Sequence, residues 1–116
     1  MREDKLDPES EASFQKRVKE TAEWFGWMTF SIRQSTIVSA KTGKRVSVVT
    51  KAGWPDVVLG KGARVLFREI KTDTGKVSPA QQKWGDLLLR AGCDWDVWRP
   101  RDWNEIERTL GAVSGG

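Results

Sequence analysis

The chain has 116 residues, a formal net charge of +4 and a mean hydropathy of −0.55. This composition is typical of one globular domain, and no apolar run approaches the roughly 20 residues that a membrane span requires. The chain contains no histidine and no tyrosine, which excludes serine–histidine–aspartate hydrolysis, histidine general bases, zinc–histidine sites and tyrosine nucleophiles.

The single cysteine and the two termini suggest where the protein acts and where its domain ends. Cys93 has no second cysteine to pair with, which favours a reducing, intracellular setting. The first ten residues, MREDKLDPES, are charged rather than apolar, so we expect no signal peptide. We expect a single domain at residues 10–111, between disordered tails at 1–9 and 112–116.

Positive charge is concentrated in the middle of the chain. Residues 24–71 carry nine basic and two acidic side chains, whereas the segments on either side have net charges of −2 and −1. A concentrated positive field favours a polyanionic partner, although solvated lysines on an ordinary surface would give the same composition. Asp56 and Glu69 are the only acids in this basic stretch, and they are the first candidates for a functional site.

The predicted elements alternate between helix and strand. Apolar residues at helical spacing predict a first helix at 10–25, which Gly26 ends. Residues rich in aromatic and β-branched side chains predict strands at 27–32, 56–59, 64–71 and 94–99. Two runs on either side of Lys-Thr-Gly-Lys, within 33–52, indicate either a basic hairpin or a mobile loop.

The second helix has the clearest beginning. Ser78 is a good N-cap, Pro79 takes the first helical position and Gln81 takes the capping-box position. We expect its buried stripe to consist of Ala80, Trp84, Leu87, Leu88 and Ala91. Gly85 lies inside this helix at a cost of about 1 kcal/mol relative to alanine, which predicts a close contact with another element.

A short last helix completes the predicted fold. Asp102, together with Glu105, is expected to cap this helix, which ends at Leu110. The order of elements predicts an α/β fold with a central mixed sheet flanked by helices.

Two carboxylates and an ammonium are predicted to meet at one end of the sheet. Side chains alternate along a strand, so Glu69 and Lys71 project from one face and Ile70 from the other. Asp56 begins the preceding strand, which a short glycine turn pairs antiparallel to this one. Carboxylates that approach closely stay ionised together only if a cation lies between them.

The donor set predicts a hard divalent cation. Carboxylate oxygens with no histidine or thiolate favour Mg²⁺ or Mn²⁺, which bind one or two carboxylates together with phosphate oxygens. This is a phosphodiesterase arrangement, in which the metal polarises the phosphate and acidifies a water. Lys71 would orient that water or neutralise developing charge.

Each supporting residue has a functional and a structural interpretation. Glu11 lies on the apolar side of the first helix and could assist the metal, or it could be a solvated acid in the first turn. Gln81 could act in the site or only cap its helix. Trp54 could stack on a base or pack in the fold. The expected phosphate contacts, which could also be merely solvated, are Arg33, Lys41, Lys44, Arg45, Lys51 and Lys76.

The compound pattern resembles a known nuclease family. It consists of Gly-Trp-Pro-Asp, a strand, a glycine turn, a strand ending in Glu-Ile-Lys-Thr, and a helix opening with Ser-Pro-Ala-Gln-Gln-Lys-Trp. Residues 10–103 resemble the VRR-NUC nucleases of the PD-(D/E)xK superfamily. The resemblance implies a restriction-endonuclease-like core and DNA cleavage that depends on Mg²⁺ or Mn²⁺.

The resemblance also assigns roles by position. The implied catalytic residues are Asp56, Glu69, Lys71, Glu11 and Gln81. The implied metal ligands are Asp56, Glu69, Glu11 and the backbone carbonyl of Ile70.

Small stand-alone members of this family, many from phages, resemble dimeric enzymes acting on branched DNA such as four-way junctions. By this resemblance we expect a cytoplasmic homodimer of a bacterial or phage-infected cell that binds branched or duplex DNA, with no small-molecule cofactor and no membrane. Two alternatives remain open. One is a non-catalytic nucleic-acid-binding module that retains the fold, and the other is a protein-interaction subunit that uses the tryptophan-rich last third.

Overall fold

The computed structural model describes residues 9–31, 35–38, 41–43, 45–48 and 52–112. Its three helices are α1 (Glu11–Trp24), α2 (Pro79–Arg90) and α3 (Trp103–Gly111), the last preceded by a 3-10 turn at Pro100–Asp102. Its strands are β1 (Met28–Ser31), β2 (Ser35–Val38), β3 (Arg45–Val48), β4 (Val57–Lys61), β5 (Arg64–Ile70) and β6 (Asp94–Trp98). Within the described ranges no helix is both long and apolar enough to cross a membrane.

The strands form a four-stranded mixed sheet and a separate hairpin. The sheet has the order β1-β4-β5-β6, in which β4 is antiparallel to both of its neighbours and β6 is parallel to β5. The turn between β4 and β5 has Gly62 at its first position, with a φ of +60° that favours glycine. The α/β class is confirmed. Of the two interpretations of 33–52, the structure shows the hairpin, formed by β2 and β3.

The main core lies between the sheet and the helices α1 and α3. Val57, Leu59, Leu66, Ile70 and Trp98 point from the sheet into this core. The helices contribute Phe14, Val18, Ala22, Ile106 and Leu110, all fully buried. The indole N–H of Trp27 donates to the carbonyl of Leu110 at 2.8 Å, which ties the start of β1 to the end of α3.

Helix α2 packs on the opposite face of the sheet, over β6. Its contact is made at Gly85, where an added Cβ would lie 2.5 Å from the ring of Trp95. The predicted close approach at Gly85 is therefore confirmed.

The predicted stripe of α2 is wrong in part. Leu88 is buried and Trp84 is half-buried, but Leu87 is 46% exposed. Ala80 and Ala91 are also exposed. The reason is that Gly85 and Leu88, which lie one turn apart, are the buried residues of α2, and the other predicted positions lie to either side of them.

The ends of the helices and the chain termini also differ in detail from the sequence predictions. Ser10, the first residue of the predicted helix, is the N-cap of α1 and accepts the N–H of Ser13 at 3.0 Å. Asp102 does not cap α3 with its side chain. Its carboxylate accepts the N–H of Arg99 at 3.0 Å and so closes the 3-10 turn instead. Of the predicted tails, 1–8 and 113–116 lie outside the described residues. Glu9, placed in the first tail, binds Arg17 at 2.7 Å.

Candidate active site

The turn before β4 holds Asp56 against the end of β5. Gly53 has a φ of +89° and lies so close to α2 that an added Cβ would be 2.4 Å from the carbonyl oxygen of Ala80. Pro55 is fully buried. Asp56 immediately precedes β4, and its Oδ2 accepts the N–H of Ile70 at 2.8 Å. In a regular antiparallel pair, a backbone carbonyl of the neighbouring strand would accept this N–H. The carboxylate therefore continues the ladder between the two strands.

Glu69 is the most unusual residue of the site because it is acidic and fully buried. Its exposed fraction is 0%, and neither carboxylate oxygen has a hydrogen-bond donor within the described part of the chain. Burial, followed by the negative charge of Asp56, raises the pKa of Glu69 to about 8, although Lys71 opposes the shift. The protonated form can donate to Asp56, whereas the ionised form needs a cation.

Lys71 leaves β5 next to a loop that two arginines hold in place. The guanidinium of Arg99 donates to the carbonyls of Thr72 and Gly75, at 2.7 Å and 2.6 Å. The backbone N–H of Arg101 donates to Asp73 at 2.9 Å. Sequence reasoning missed these arginines. The available signal was their position directly after β6, because the carboxyl ends of two neighbouring parallel strands lie at the same edge of a sheet.

Glu11 lies near the cluster but at its margin. Partial burial and the charge of Asp56 raise the pKa of Glu11, and Lys71 opposes the shift, so the three groups interact electrostatically. The side chain is exposed in the first turn of α1 rather than buried on the inward stripe. Within the described residues, no group of three or more Asp, Glu or Cys is arranged to hold a metal, and a ligand role for Glu11 stays a prediction.

Gln81 and Trp54 have clear structural roles. The side-chain oxygen of Gln81 accepts the N–H of Ser78 at 2.9 Å, and Ser78 accepts in return from Gln81, which completes the capping box. Trp54 packs edge-on against Phe67 and Trp84, with centroid distances of 6.0 Å and 4.9 Å. It is half-buried, and its ring helps to fix the turn that carries Asp56.

The predicted phosphate contacts are only partly described. Arg33, Lys44 and Lys51 lie outside the described residues, and Arg45 is placed in β3 by its backbone alone. Lys41 and Lys76 are exposed.

Three other basic residues of the middle segment serve the fold. The ammonium of Lys61 donates to the carbonyl of Phe25 at 2.6 Å. The guanidinium of Arg64 lies 5.1 Å from the ring centroid of Trp27. Arg68 is 4% exposed and bonds Asp94 at 2.9 Å.

Asp56 and Glu69 fit a hard divalent cation. The fit rests on the unsatisfied buried oxygens of Glu69, which a cation would satisfy, and on the all-oxygen character of the pair. Magnesium commonly binds through one or two carboxylates and keeps several waters, so two acids suffice. Ile70 turns its N–H toward Asp56, and in an extended strand its carbonyl points to the same side, within reach of the same region.

The fold and the site define an α/β protein with a buried glutamate, a half-buried aspartate and a lysine at one end of a mixed sheet. No family model, no curated protein and no solved structure matches the chain.

Proposed function

We propose that this protein is a DNA endonuclease that depends on Mg²⁺ or Mn²⁺, built on a restriction-endonuclease-like core of the VRR-NUC kind. The observation that carries the proposal is Glu69, a fully buried acid whose two oxygens have no donor in the described chain and which lies beside Asp56. A buried acid with no partner costs free energy, and a bound cation would remove that cost. The mixed sheet and the Glu-x-Lys spacing support the same proposal.

Each residue of the cluster has a proposed task. Asp56 and Glu69 hold the cation, and the Asp56 carboxylate is oriented by the N–H of Ile70. When bound, Mg²⁺ or Mn²⁺ supplies a Lewis acid for a phosphate oxygen and an acidified water. Lys71 places its ammonium next to the scissile phosphate, and Arg99 keeps the following loop in position. Glu11 tunes the site through its charge.

The substrate is proposed to be DNA, reached through the basic hairpin of β2 and β3. The hairpin leaves the sheet at Ser31 and returns at Val57, which face each other in the register. It therefore begins and ends at the same end of the sheet as Asp56. Branched DNA, such as a four-way junction, is the proposed preference.

The proposal is tested by cleavage of labelled duplex and four-way-junction DNA. We expect cleavage with Mg²⁺ or Mn²⁺ and none with a chelator. Glu69→Gln and Lys71→Ala should each lower the rate by about 100-fold or more, since the first removes a charged ligand of the cation and the second removes the ammonium beside the reacting phosphate. The exposed substitutions Glu107→Gln and Lys83→Ala are matched controls that should retain wild-type cleavage.

The same assay distinguishes the alternative function. Salt-dependent DNA binding without metal-dependent cleavage of any substrate would indicate a non-catalytic binding module. Full activity of Glu69→Gln would contradict the proposed role of the acidic pair.

A further inference from the structure

The loop after β5 contains a turn that one guanidinium nitrogen holds at both ends. The N–H of Gly75 donates to the carbonyl of Thr72 at 3.3 Å, which closes the turn 72–75. The Nη1 of Arg99 donates to the same carbonyl at 2.7 Å and to the carbonyl of Gly75 at 2.6 Å. Because Nη1 carries two hydrogens, it can donate to both carbonyls at once. A residue 24 and 27 positions away in the sequence therefore fixes the shape of the turn.

Arg99 is itself anchored where β5 and β6 end. The N–H of Lys71 donates to the carbonyl of Trp98 at 3.1 Å, which extends the parallel ladder of the two strands beyond Ile70. The backbone N–H of Arg99 donates to the carboxylate of Asp102 at 3.0 Å. Lys71 and Arg99 thus leave neighbouring strands at one edge of the sheet, with their backbones held together.

The turn lies beside the alkyl stem of Lys71. A Cβ added at Gly75 would be 3.6 Å from Cδ of Lys71 and 3.0 Å from Oγ1 of Thr72. The space between the turn and the stem therefore holds no more than a methyl group. Since a lysine ammonium is carried on a flexible four-carbon stem, its position depends on what the stem packs against.

We propose that Arg99 is a positioning residue for Lys71, an inference that rests on the proposed nuclease function. Arg99 fixes the turn 72–75, the turn restricts the stem of Lys71, and the stem directs the ammonium to the scissile phosphate. An ammonium held in place before the reaction loses little further rotational freedom in the transition state. Arg99 therefore contributes to the rate of the chemical step rather than to the affinity for DNA.

The hydrogen bonds of Arg99 favour this role over a direct contact with DNA. Both hydrogens of Nη1 are directed to backbone carbonyls, and the residue is half-buried. Arg101, two positions further on, is exposed, and it holds Asp73 through its backbone N–H at 2.9 Å. Its side chain adds only a longer contact, 3.3 Å from the carbonyl of Asp73. Arg101→Ala is therefore a charge-matched control that leaves the turn intact.

The first test measures the mobility of Lys71 without DNA or metal. In protein labelled with ¹³C-lysine, NMR relaxation gives an order parameter for each ε-methylene, and the signal missing from Lys71→Ala identifies Lys71. We expect a higher order parameter for Lys71 than for the exposed Lys83, a decrease to the Lys83 value in Arg99→Ala, and no change in Arg101→Ala. A wild-type Lys71 as mobile as Lys83, or an unchanged value in folded Arg99→Ala, would overturn the proposal.

The second test is single-turnover cleavage of labelled DNA. Arg99→Ala should lower the rate of the chemical step about 100-fold and change the dissociation constant for DNA, measured in a chelating buffer, by less than about twofold. Arg99→Lys keeps a donor for the two carbonyls and should recover about tenfold of the lost rate. Arg108→Ala, an exposed substitution on α3, should match the wild type.

The binding measurement separates the two roles of Arg99. Weaker DNA binding by Arg99→Ala would indicate a direct contact between Arg99 and DNA, and would overturn the positioning role. A wild type that cleaves no substrate would instead contradict the proposed nuclease function. The order parameters of Lys71 then decide alone whether Arg99 holds the lysine.

A third test displaces the stem from the side of the turn and leaves Arg99 in place. The background Thr72→Ala removes the hydroxyl oxygen that lies 3.0 Å from an added Cβ. In this background, Gly75→Ala makes ordinary contact with Lys71 and should retain the parent order parameter and cleavage rate. The two additional methyl groups of Gly75→Val crowd the stem and should lower the rate by about tenfold or more. Equal rates for the two variants would overturn the proposal, and this comparison also applies if Arg99→Ala does not fold.

Discussion

At the scale of single residues, the site depends on an acid that the fold buries without satisfying. Glu69 shares its register position with Val97 of β6 and lies beside the turn that carries Asp56. Removing this carboxyl group from water favours its neutral form. The negative charge of Asp56 also favours the neutral form, because it repels the ionised carboxylate. The folded protein therefore bears a free-energy cost at neutral pH, which the proposed cation would relieve.

This cost predicts a pH dependence of stability. The pKa of Glu69 is raised from 4.5 to about 8 in the folded state, so between these values the folded state retains a proton that the unfolded state has lost. The free energy of unfolding should then fall as the pH rises from about 4.5 to 8, by an amount on the order of a few kcal/mol. Urea denaturation in a chelating buffer, at several pH values across this range, measures the decrease in the free energy of unfolding.

The isosteric variant Glu69→Gln separates this contribution from all others. It has no charge to bury, so its free energy of unfolding at pH 8.5 should exceed that of the wild type, and the two should converge toward pH 4. Glu107→Gln, on the exposed side of α3, should keep the wild-type pH dependence. A wild-type pH dependence in Glu69→Gln would mean that another group causes the loss of stability.

The residues of the acidic cluster could be predicted from the sequence to a useful extent. The two-residue period of a strand places Glu69 and Lys71 on one face, and the glycine turn brings Asp56 to the same end. Two features could not be predicted. The complete burial of Glu69 depends on how the neighbouring elements pack around it, and the contacts of Arg99 join residues that are 24 and 27 positions apart in the sequence.

At the scale of elements, substitutions at the start of α2 can distinguish a capping role of Gln81 from a catalytic role. Gln81 uses its side-chain oxygen to accept the N–H of Ser78, and glutamate can make the same bond. Gln81→Ala should lower the free energy of unfolding by about 1 kcal/mol, and Gln81→Glu should leave it nearly unchanged. If Gln81 only caps the helix, Gln81→Glu also retains cleavage. Loss of cleavage with unchanged stability would show that the amide acts in the site.

The contact between α2 and β6 makes a second prediction at this scale. Alanine at position 85 gains about 1 kcal/mol of helix propensity, but its Cβ would overlap the ring of Trp95. The clash should dominate, and Gly85→Ala should lower the free energy of unfolding by about 1–3 kcal/mol. In a Trp95→Leu background, which lacks the ring, the same substitution should cost less. Equal costs in both backgrounds would mean that the ring has room to move.

The elements themselves differ in how well their sequences predict them. The capping box and the antiparallel pair of β4 and β5 have local signals, and both are confirmed. The orientation of α2 has no such signal, because the stripe centred on Leu87 and the stripe through Gly85 and Leu88 both fit the helical spacing. The close contact between Gly85 and Trp95 arises only in the packed structure. The hairpin of β2 and β3 was ambiguous because its basic residues fit a solvated loop equally well.

At the scale of the whole molecule, the positive charge of the middle segment divides into two groups. Lys61, Arg64 and Arg68 are bound to a carbonyl, an indole ring and a carboxylate of the fold. The sequence could not separate these structural charges from the others, since the distinction arises only when β4 and β5 pack against the rest of the chain. The charge available for a polyanion is therefore smaller than the composition suggests.

This division predicts how DNA binding responds to salt. Arg45, in the hairpin strand β3, and Arg64, beside Trp27, carry the same charge, so Arg45→Ala and Arg64→Ala change the net charge equally. If the hairpin contacts phosphate, Arg45→Ala should reduce the slope of log affinity against log salt by about 0.9, which corresponds to one phosphate contact. Arg64→Ala should leave the slope unchanged and lower the thermal stability instead, because it removes a packing contact.

Binding measured by fluorescence anisotropy in a chelating buffer, over a range of salt concentrations, compares the two variants without cleavage. Equal changes of slope would mean that DNA responds to the net charge of the protein, and the hairpin would then have no special role in binding.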